Sequence, residues 1–330
     1  MSAMPPLVSV IVPVYNGERY ITEALASLQA QTYPTMQVIV VNDGSTDRSE
    51  SLILGSSLDL EYVSQPNGGI ASAYNRGIAQ ACGDFISFLE HDDVWLPEKL
   101  EREIGLLLAR PELGMVYSRY YVADADGDYE QSNASTLELL DDCFEQLLGQ
   151  TLSGPTILPF SSATIRSALL RQIGPLDSSL SISVDYDTWL KIAYFSQIGF
   201  IAEPGLLYRQ HGGNASRNGL RAVEDDLKIL ERWAARPDVL RKMSRRSMCA
   251  RLARCHLDLA WMHQQAGDAA AGRNSLARAA RIQPGSLRAW SRLAWSYLPP
   301  ATARRLEWYA EKLRRHRIPA ASAPDQPSID

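Results

Sequence analysis

The sequence lacks any hydrophobic run long enough to cross a membrane. None of its apolar stretches reaches the roughly 18 residues that a spanning helix requires. The opening residues carry no basic charge and lead directly into an apolar stretch, which is not the pattern of a secretory signal. Both observations predict a cytoplasmic protein.

Cysteine is also scarce, with 4 residues in a chain of 330. Their spacing fits neither a metal site nor the dense pattern of a disulfide-stapled secreted domain. We therefore expect each to be a small buried hydrophobic residue in a reducing compartment. The four are Cys82, Cys143, Cys249 and Cys255.

Charge is distributed unevenly along the chain. The net charge is −5, but residues 241–330 hold 17 basic and 6 acidic residues, whereas residues 1–240 hold 16 and 32. An acidic front and a basic end predict two units with different partners. We expect a first domain over residues 1–219, a helical region over residues 220–318 and a disordered tail over residues 319–330.

Apolar, β-branched segments alternate with helix-like segments in the first ninety residues. Strands are predicted at residues 7–16, 37–41, 60–63 and 84–89, and helices at residues 20–28 and 70–81. This alternation is typical of an α/β protein with a doubly wound, mostly parallel sheet flanked by helices.

The middle of the chain is less regular. Further strands are predicted at residues 115–118, 161–165, 199–202 and 206–209. Residues 185–193 are predicted to be the start of a helix. Residues 124–128 resemble the start of a calcium loop but lack its twelfth-position Glu, so we interpret them as a hairpin turn. From about residue 220 the pattern is helical.

The segment Glu90-His91-Asp92-Asp93 directly follows the strand at residues 84–89. Open α/β sheets bind ligands outside the carboxyl ends of their strands. Three carboxylates in four positions repel one another unless a cation neutralises them, and their oxygens suit Mg²⁺ or Mn²⁺. The alternative is an acidic turn that caps the helix starting near Pro97. Pro13, Tyr15 and Asp43 also lie at strand ends and should converge on the same edge.

Six short segments are weak signals one by one, but they are informative together because of the order in which they follow one another along the chain. They are Val8–Asn16, Val40–Asp47, Asn67–Gly69 with Asn75–Gly77, Gly83–Trp95, Asp185–Leu190 and Tyr208–His211. Together they make the first 215 or so residues resemble glycosyltransferase family 2. The resemblance implies a GT-A fold and transfer of a sugar from a nucleotide diphosphate sugar, with inversion at the anomeric carbon. It does not cover residues 220–330.

The resemblance implies a nucleotide-sugar site at the carboxyl edge of the sheet. Tyr15 would stack on the nucleobase, with an aromatic plug as the alternative. Asp43 would accept the imide N–H of uracil, unless it only forms a turn. Glu90 stands where the family usually has Asp, and Tyr74 where many relatives have Arg. The implied donor-binding residues are Pro13, Tyr15, Asn16, Glu18, Asp43, Asn67, Gly69, Asn75, Glu90, His91 and Asp92.

The resemblance also implies a metal site and a catalytic base. Asp92 matches the residue that binds a metal bridging the diphosphate, Mn²⁺ or Mg²⁺, and His211 is either a further ligand or a solvated loop residue. Asp185 takes the position of the base that accepts the proton of the acceptor hydroxyl. The Glu that usually precedes it is Val184 here. Asp187 is expected to cap the helix or to support the fold.

The helical region gives two further expectations. Residues 261–284 resemble one tetratricopeptide-type helical hairpin, without a second copy. Basic and aromatic residues crowd residues 304–317, which predicts peripheral contact with the inner membrane face; packing on the acidic front half or a solvated face is the alternative. Nucleic acid is not an expected partner, because no recognition module is present.

These features predict a metal-dependent inverting glycosyltransferase acting on a saccharide or lipid-linked acceptor, in cell-surface polysaccharide or glycolipid synthesis. One alternative is a catalytically inactive scaffold that keeps the GT-A fold and acts through its helical tail. A nucleotidyltransferase is a third hypothesis, but it would require a basic, Gly-rich phosphate loop near the first strand. This chain has the acidic segment Tyr15–Glu18 there.

Overall fold

The computed structural model describes residues 4–134, 143–149, 158–214, 218–298 and 302. The chain divides into two compact units, Met1–Cys255 and His256–Asp330. The domain limits predicted at residues 219 and 318 stay predictions. The basic segment at residues 304–317 and the predicted tail lie outside the described residues.

A mixed sheet forms the centre of the first unit. Its strands are β1 (Val8–Val14), β2 (Met36–Asn42), β3 (Glu61–Ser64), β4 (Phe85–Phe88), β5 (Val94–Trp95), β6 (Leu113–Ala123), β7 (Tyr129–Ala134), β8 (Ala163–Arg166) and β9 (Gln197–Arg209). They lie in the order β3-β2-β1-β4-β8-β6-β9-β5, and β7 pairs with β6. Strands β1 to β4 are all parallel, as the alternating pattern predicts.

Helices flank this sheet. In the first unit they are α1 (Ile21–Gln29), α2 (Ser49–Leu54), α3 (Ile70–Gln80), α4 (Lys99–Ala109), α5 (Phe144–Gly149), α6 (Ser167–Ile173), α7 (Val184–Phe195), α8 (Gly219–Ala234) and α9 (Val239–Lys242). The apolar period predicted for α1 is its buried face, with Ile21, Ala24, Leu25 and Leu28 all inside the core. The predicted α/β fold class is confirmed.

Residues 197–209 form one strand where the sequence predicts two. Strand β9 pairs with β6 along its whole length, and the register shifts on either side of Arg119, which is paired with Pro204. Proline has no N–H for the ladder, so a local irregularity accommodates it and the strand continues beyond it. The predicted break between residues 202 and 206 is therefore wrong.

Residues 124–128 form the tight turn between β6 and β7. The Asp124 N–H donates to the carbonyl of Asp128 at 2.9 Å, and Asp124 Oδ1 accepts from the N–H groups of Asp126 at 2.9 Å and Asp128 at 3.0 Å. Gly127 has a φ of 92°, which favours glycine. The hairpin interpretation is confirmed, and the Asp124 carboxylate is used within the turn.

The expectation that every cysteine is buried is wrong for Cys82. Cys143 and Cys255 are buried and Cys249 is partly buried, but Cys82 is exposed. It lies between α3 and β4, where its Sγ donates to Gln37 Oε1 at 3.2 Å. The thiol of Cys82 therefore has a hydrogen-bond partner at the edge of the sheet although the residue is exposed.

The second unit is helical. Helix α10 (Arg245–Gln265) enters it and is followed by α11 (Ala269–Ile282) and α12 (Leu287–Trp295). A small core joins the three helices and consists of Leu257, Ala260, Leu276, Ala279, Ala280 and Ala289. The predicted hairpin at residues 261–284 is thus present, with Gly267 at a φ of 81° in its turn. Within the described residues, no helix combines the length and apolarity needed to span a membrane.

Candidate active site

The carboxyl ends of β1, β2 and β4 meet at one edge of the sheet, because these strands are parallel neighbours. Hydrogen bonds join the loop that follows β1 to the loop that follows β2. Asn16, with a φ of 50°, accepts at Oδ1 from the Thr46 N–H at 2.8 Å and donates its own N–H to Ser45 Oγ at 3.0 Å. Tyr15 is 47% exposed beside this junction. The predicted convergence is confirmed, and the Tyr15 ring is accessible for stacking.

Asp43 holds the glycine loop that precedes α3. Its Oδ1 accepts from Gln65 Nε2 at 2.7 Å and from the Gly68 N–H at 2.9 Å, and its Oδ2 accepts from the Gly69 N–H at 2.9 Å. A carboxylate has about four acceptor positions, so these three bonds leave one position on Oδ2 unused, and Asp43 is 3% exposed. Asn67 and Gly69 are exposed in the loop that Asp43 holds.

Three of the predicted donor-binding residues make internal contacts. Glu18 Oε2 accepts from the N–H of Arg48 at 3.1 Å, which ties the β1 loop to the start of α2. Asn75 bonds both backbone groups of Leu176, through Nδ2 at 2.9 Å and Oδ1 at 2.8 Å. Pro13 is buried within β1. These contacts shape the edge, and direct donor binding by Pro13, Glu18 and Asn75 stays a prediction.

His91 lies against the loop that follows β1. A Cβ at Gly17 would be 2.5 Å from His91 Cδ2. This close approach requires glycine, because any side chain at residue 17 would displace the imidazole. His91 therefore lies at the edge where donor binding is predicted, and its contact with the donor stays a prediction.

Glu90, Asp92 and Asp93 lie together in the turn between β4 and β5. One carboxylate oxygen from each lies within 4.8 Å of the other two. Two neighbours fix Glu90: the Tyr74 hydroxyl donates to its Oε1 at 3.2 Å, and its backbone N–H donates to Ser161 Oγ at 3.0 Å. The turn thus concentrates negative charge at the exit of a buried parallel strand.

This crowding favours protonated carboxyl groups. Burial, followed by the charges of Asp92, Asp93 and Asp185, raises the pKa of Glu90 well above its usual value. Burial and then the charge of Asp92 raise the pKa of Asp93 in the same way. A divalent cation would offset this repulsion and favour the ionised forms. The clustered oxygen donors therefore fit Mg²⁺ or Mn²⁺.

His211 faces Asp92 across the edge. Its Nε2 is 2.9 Å from Asp92 Oδ2, and the two side chains are 15% and 12% exposed. Because His211 Nδ1 accepts from the Gly213 N–H at 3.1 Å, Nε2 carries the proton and donates it to Asp92. The structure thus brings the two predicted metal ligands together. Before Nε2 could bind a metal, it would have to release that proton.

Arg209 anchors the acidic turn. Its side chain is 3% exposed, and the guanidinium lies 4.9 Å from the centre of the Tyr20 ring. It donates to the Asp92 carbonyl at 2.9 Å and forms an ion pair with Glu23 at 2.6 Å. Its backbone N–H donates to Asp93 Oδ1 at 3.0 Å. The end of β9 is therefore bonded to the acidic turn through both its side chain and its backbone.

Asp185 and Asp187 begin α7 in different environments. Asp185 is partly buried, and desolvation raises its pKa to about 7. Its charge also contributes to the raised pKa of Glu90, which places it electrostatically beside the acidic turn. Asp187 is 2% exposed and forms ion pairs with Lys191 at 2.6 Å and Arg232 at 3.4 Å. Asp187 was expected to cap the helix or to support the fold. Its ion pairs support the fold, and α7 has no side-chain capping hydrogen bond.

Sequence reasoning missed three residues that position this edge. Arg209 lies within the segment Tyr208–His211 but was given no role, and a charged residue at the end of an apolar strand was the available signal. Tyr74 entered only as the residue where the resemblance implies Arg in many relatives, and its hydroxyl donates to Glu90. Ser161, which accepts the Glu90 N–H, has no distinguishing pattern in the sequence.

The parallel strands, their loops and the acidic turn define a GT-A fold. S. aureus TarS 1-349 in complex with UDP-GlcNAc aligns with a TM-score of 0.62 at 19% identity, over 88% of this chain and 89% of that chain. Mannosyltransferase PcManGT from Pyrobaculum calidifontis, in complex with GDP-Man and Mn2+, aligns with a TM-score of 0.55 at 22% identity, over 88% and 79%. Because the sequence identities are only 19% and 22%, these structural similarities establish the fold alone.

The sequence comparisons identify the family. The model of glycosyl transferase family 2 matches residues 9–174, half of the chain, so the protein belongs to that family. An uncharacterized glycosyltransferase of Rickettsia prowazekii is 37% identical over 226 residues, 67% of this chain and 69% of that protein. Escherichia coli WfgD, a UDP-Glc:alpha-D-GlcNAc-diphosphoundecaprenol beta-1,3-glucosyltransferase, is 27% identical over 246 residues, 70% and 88% of the two chains. The predicted family is confirmed.

Arg209→Lys should destabilise the first unit. Lysine keeps the charge but not the planar fork that reaches a carbonyl and a carboxylate at once, so we expect the free energy of unfolding to fall by about 2–4 kcal/mol in urea denaturation. Arg19→Lys is the matched control, because Arg19 lies 5.0 Å from the same Tyr20 ring but is 61% exposed in its pair with Asp126. It should change stability by less than about 0.5 kcal/mol. Equal effects would contradict the anchoring role.

Proposed function

We propose that this protein is an inverting glycosyltransferase that moves a sugar from a UDP-linked donor to an acceptor hydroxyl. The observation that carries the proposal is the meeting of Glu90, Asp92 and His211 at the carboxyl edge of parallel strands, beside the exposed Tyr15. Tyr15 would stack on uracil, and the remaining acceptor position of Asp43 would take its imide N–H. The UDP-sugars named for TarS and WfgD support this choice of donor.

The proposed cofactor is Mn²⁺ or Mg²⁺. Asp92 would hold the metal, His211 would join it once Nε2 is deprotonated, and Glu90 would act on the ribose or through water. When bound, the metal supplies Lewis-acid stabilisation of the charge on the departing diphosphate. The Mn2+ in the PcManGT complex supports a metal at this edge.

Asp185 is the proposed catalytic base. The acceptor oxygen attacks the anomeric carbon from the face opposite the diphosphate, so the new C–O bond forms as the bond to the diphosphate oxygen breaks. The hydroxyl proton passes to the Asp185 carboxylate. A base works best when its pKa lies near the operating pH, and burial raises the pKa of Asp185 to about 7.

We further propose a saccharide or lipid-linked acceptor and a place in cell-surface polysaccharide or glycolipid synthesis. The lipid-linked acceptor in the name of WfgD supports this reading. The reaction would take place in the cytoplasm, with residues 304–317 contacting the inner membrane face. In the alternative function, an inactive scaffold, the same edge would bind no nucleotide sugar.

Asp92→Asn should abolish transfer. The substitution removes the carboxylate that is proposed to hold the metal, so we expect a turnover loss of more than about 100-fold, and EDTA should give a similar loss that Mn²⁺ reverses. Turnover is measured by nucleotide release in a screen of UDP-sugars. Asp84→Asn is the control, because Asp84 is exposed just before β4. Full activity in EDTA would rule out the metal, and binding of no nucleotide by the wild type would favour the scaffold.

Asp185→Asn should remove turnover without lowering stability. Loss of a general base costs about 10²–10⁴-fold in rate, while UDP affinity by calorimetry should remain near that of the wild type. The wild-type kcat/KM should rise with pH and level off above about 7, where Asp185 is ionised. Near-wild-type turnover of Asp185→Asn would overturn the assignment.

The same pKa shift predicts the stability of Asp185→Asn. The folded-state pKa of about 7 exceeds the unfolded value near 4, so stability from this group is present below about pH 4 and is lost as pH rises through 7. Asparagine avoids this loss, so Asp185→Asn should have a higher Tm than the wild type at pH 8. Asp187→Asn is the matched comparison: it breaks a buried ion pair and should cost about 1–3 kcal/mol with a smaller effect on turnover.

A further inference from the structure

The second unit contains a basic cavity of about 380 Å³ between α10 and α11. None of its lining residues is acidic. The polar side chains that line it are His256, His263, Asn274, Ser275, Arg278 and Arg281. All belong to the helical region that the family resemblance does not cover, so the sugar-transfer proposal assigns them no role.

Within the described residues, one of these polar side chains is buried without a partner. None of the six makes a side-chain hydrogen bond or ion pair there, and His256 Nδ1 is fully buried with no partner. His256 and Ser275 form the floor, at 2% and 6% exposed, whereas Arg278 and Arg281 are exposed at the rim. Buried polar atoms are normally hydrogen-bonded, so the buried, unpartnered Nδ1 of His256 on the floor of this cavity marks a position where a ligand can bond.

Charge defines the chemistry of that ligand. Burial and the nearby positive charge of Arg278 lower the pKa of His256 to about 4, so the imidazole is neutral near pH 7 and offers one N–H donor. Arg278 and Arg281 are three residues apart on α11 and therefore lie on the same face of the helix. Their planar forks match the oxygens of phosphate groups.

We propose that this cavity binds a diphosphate group. Two neighbouring arginines provide one fork for each phosphoryl group, and His256, Asn274 and Ser275 provide hydrogen-bonding groups beneath them. The volume lies at the lower end of the roughly 300–1,000 Å³ range of small-ligand sites, so the cavity has room for a diphosphate group. The diphosphate could come from a soluble nucleotide or from a lipid-linked saccharide. The proposal does not depend on the transfer reaction in the first unit.

Calorimetric titration of the full chain with inorganic pyrophosphate tests this site. The buffer contains EDTA, so that no metal retains pyrophosphate at Asp92. We expect the wild type to bind, and Arg278→Gln and Arg281→Gln each to weaken binding at least about tenfold. Arg288→Gln is the matched control, because Arg288 is exposed on α12 and does not line the cavity. Its affinity should equal that of the wild type.

Two results would overturn the proposal: no binding of pyrophosphate by the wild type, or an equal loss in Arg288→Gln. Arg278 and Arg281 are exposed, so their substitution should leave the fold intact, and circular dichroism of each variant checks this. A second arm identifies the source with phosphatidylcholine vesicles that contain a long-chain prenyl diphosphate. If Arg278→Gln loses vesicle capture, the site takes a lipid-linked diphosphate; if capture is unchanged, it takes a soluble one. Both results of this arm support the site.

Discussion

The geometry of the carboxyl edge depends on one buried guanidinium. Arg209 lies at the end of β9, 186 residues from its partner Glu23 in α1, and contacts the acidic turn through the Asp92 carbonyl. Its Nη1 also reaches the Ala125 carbonyl in the β6–β7 turn at 3.3 Å. Segments from four parts of the chain are fixed by this single side chain. Because Asp92 is held by its backbone, its carboxylate is left to face His211.

Electrostatic repulsion is the second constraint on this edge. Folding brings carboxylate oxygens of Glu90, Asp92 and Asp93 within 4.8 Å of one another, and burial together with the neighbouring charges raises the pKa of Glu90 and of Asp93. A site of this kind gains most from a ligand that brings positive charge to it. The charge of Asp185 adds to the raised pKa of Glu90, so the proposed base lies within the electrostatic reach of the acidic turn.

The alternating strands were predictable because parallel strands are buried on both faces and form short, continuous apolar runs. The acidic turn could be placed from its position after β4 alone. Contacts between distant segments were not predictable. Lys99 and Glu103 have the i,i+4 spacing of a surface pair, yet both are fully buried, because the Trp95 ring lies 4.3 Å from Lys99 and Thr164 donates to Glu103. The anchoring by Arg209 likewise depends on tertiary contacts that no local pattern records.

We propose that the acidic turn binds a metal together with the donor nucleotide. Electron paramagnetic resonance measures it directly, because the signal of free Mn²⁺ falls as the ion binds. We predict that wild-type protein and UDP together will remove the free Mn²⁺ signal beyond what UDP alone removes, and that Asp92→Asn with UDP will not. An equal loss of signal for both proteins, or no loss beyond that with UDP alone, would contradict a metal site at Asp92.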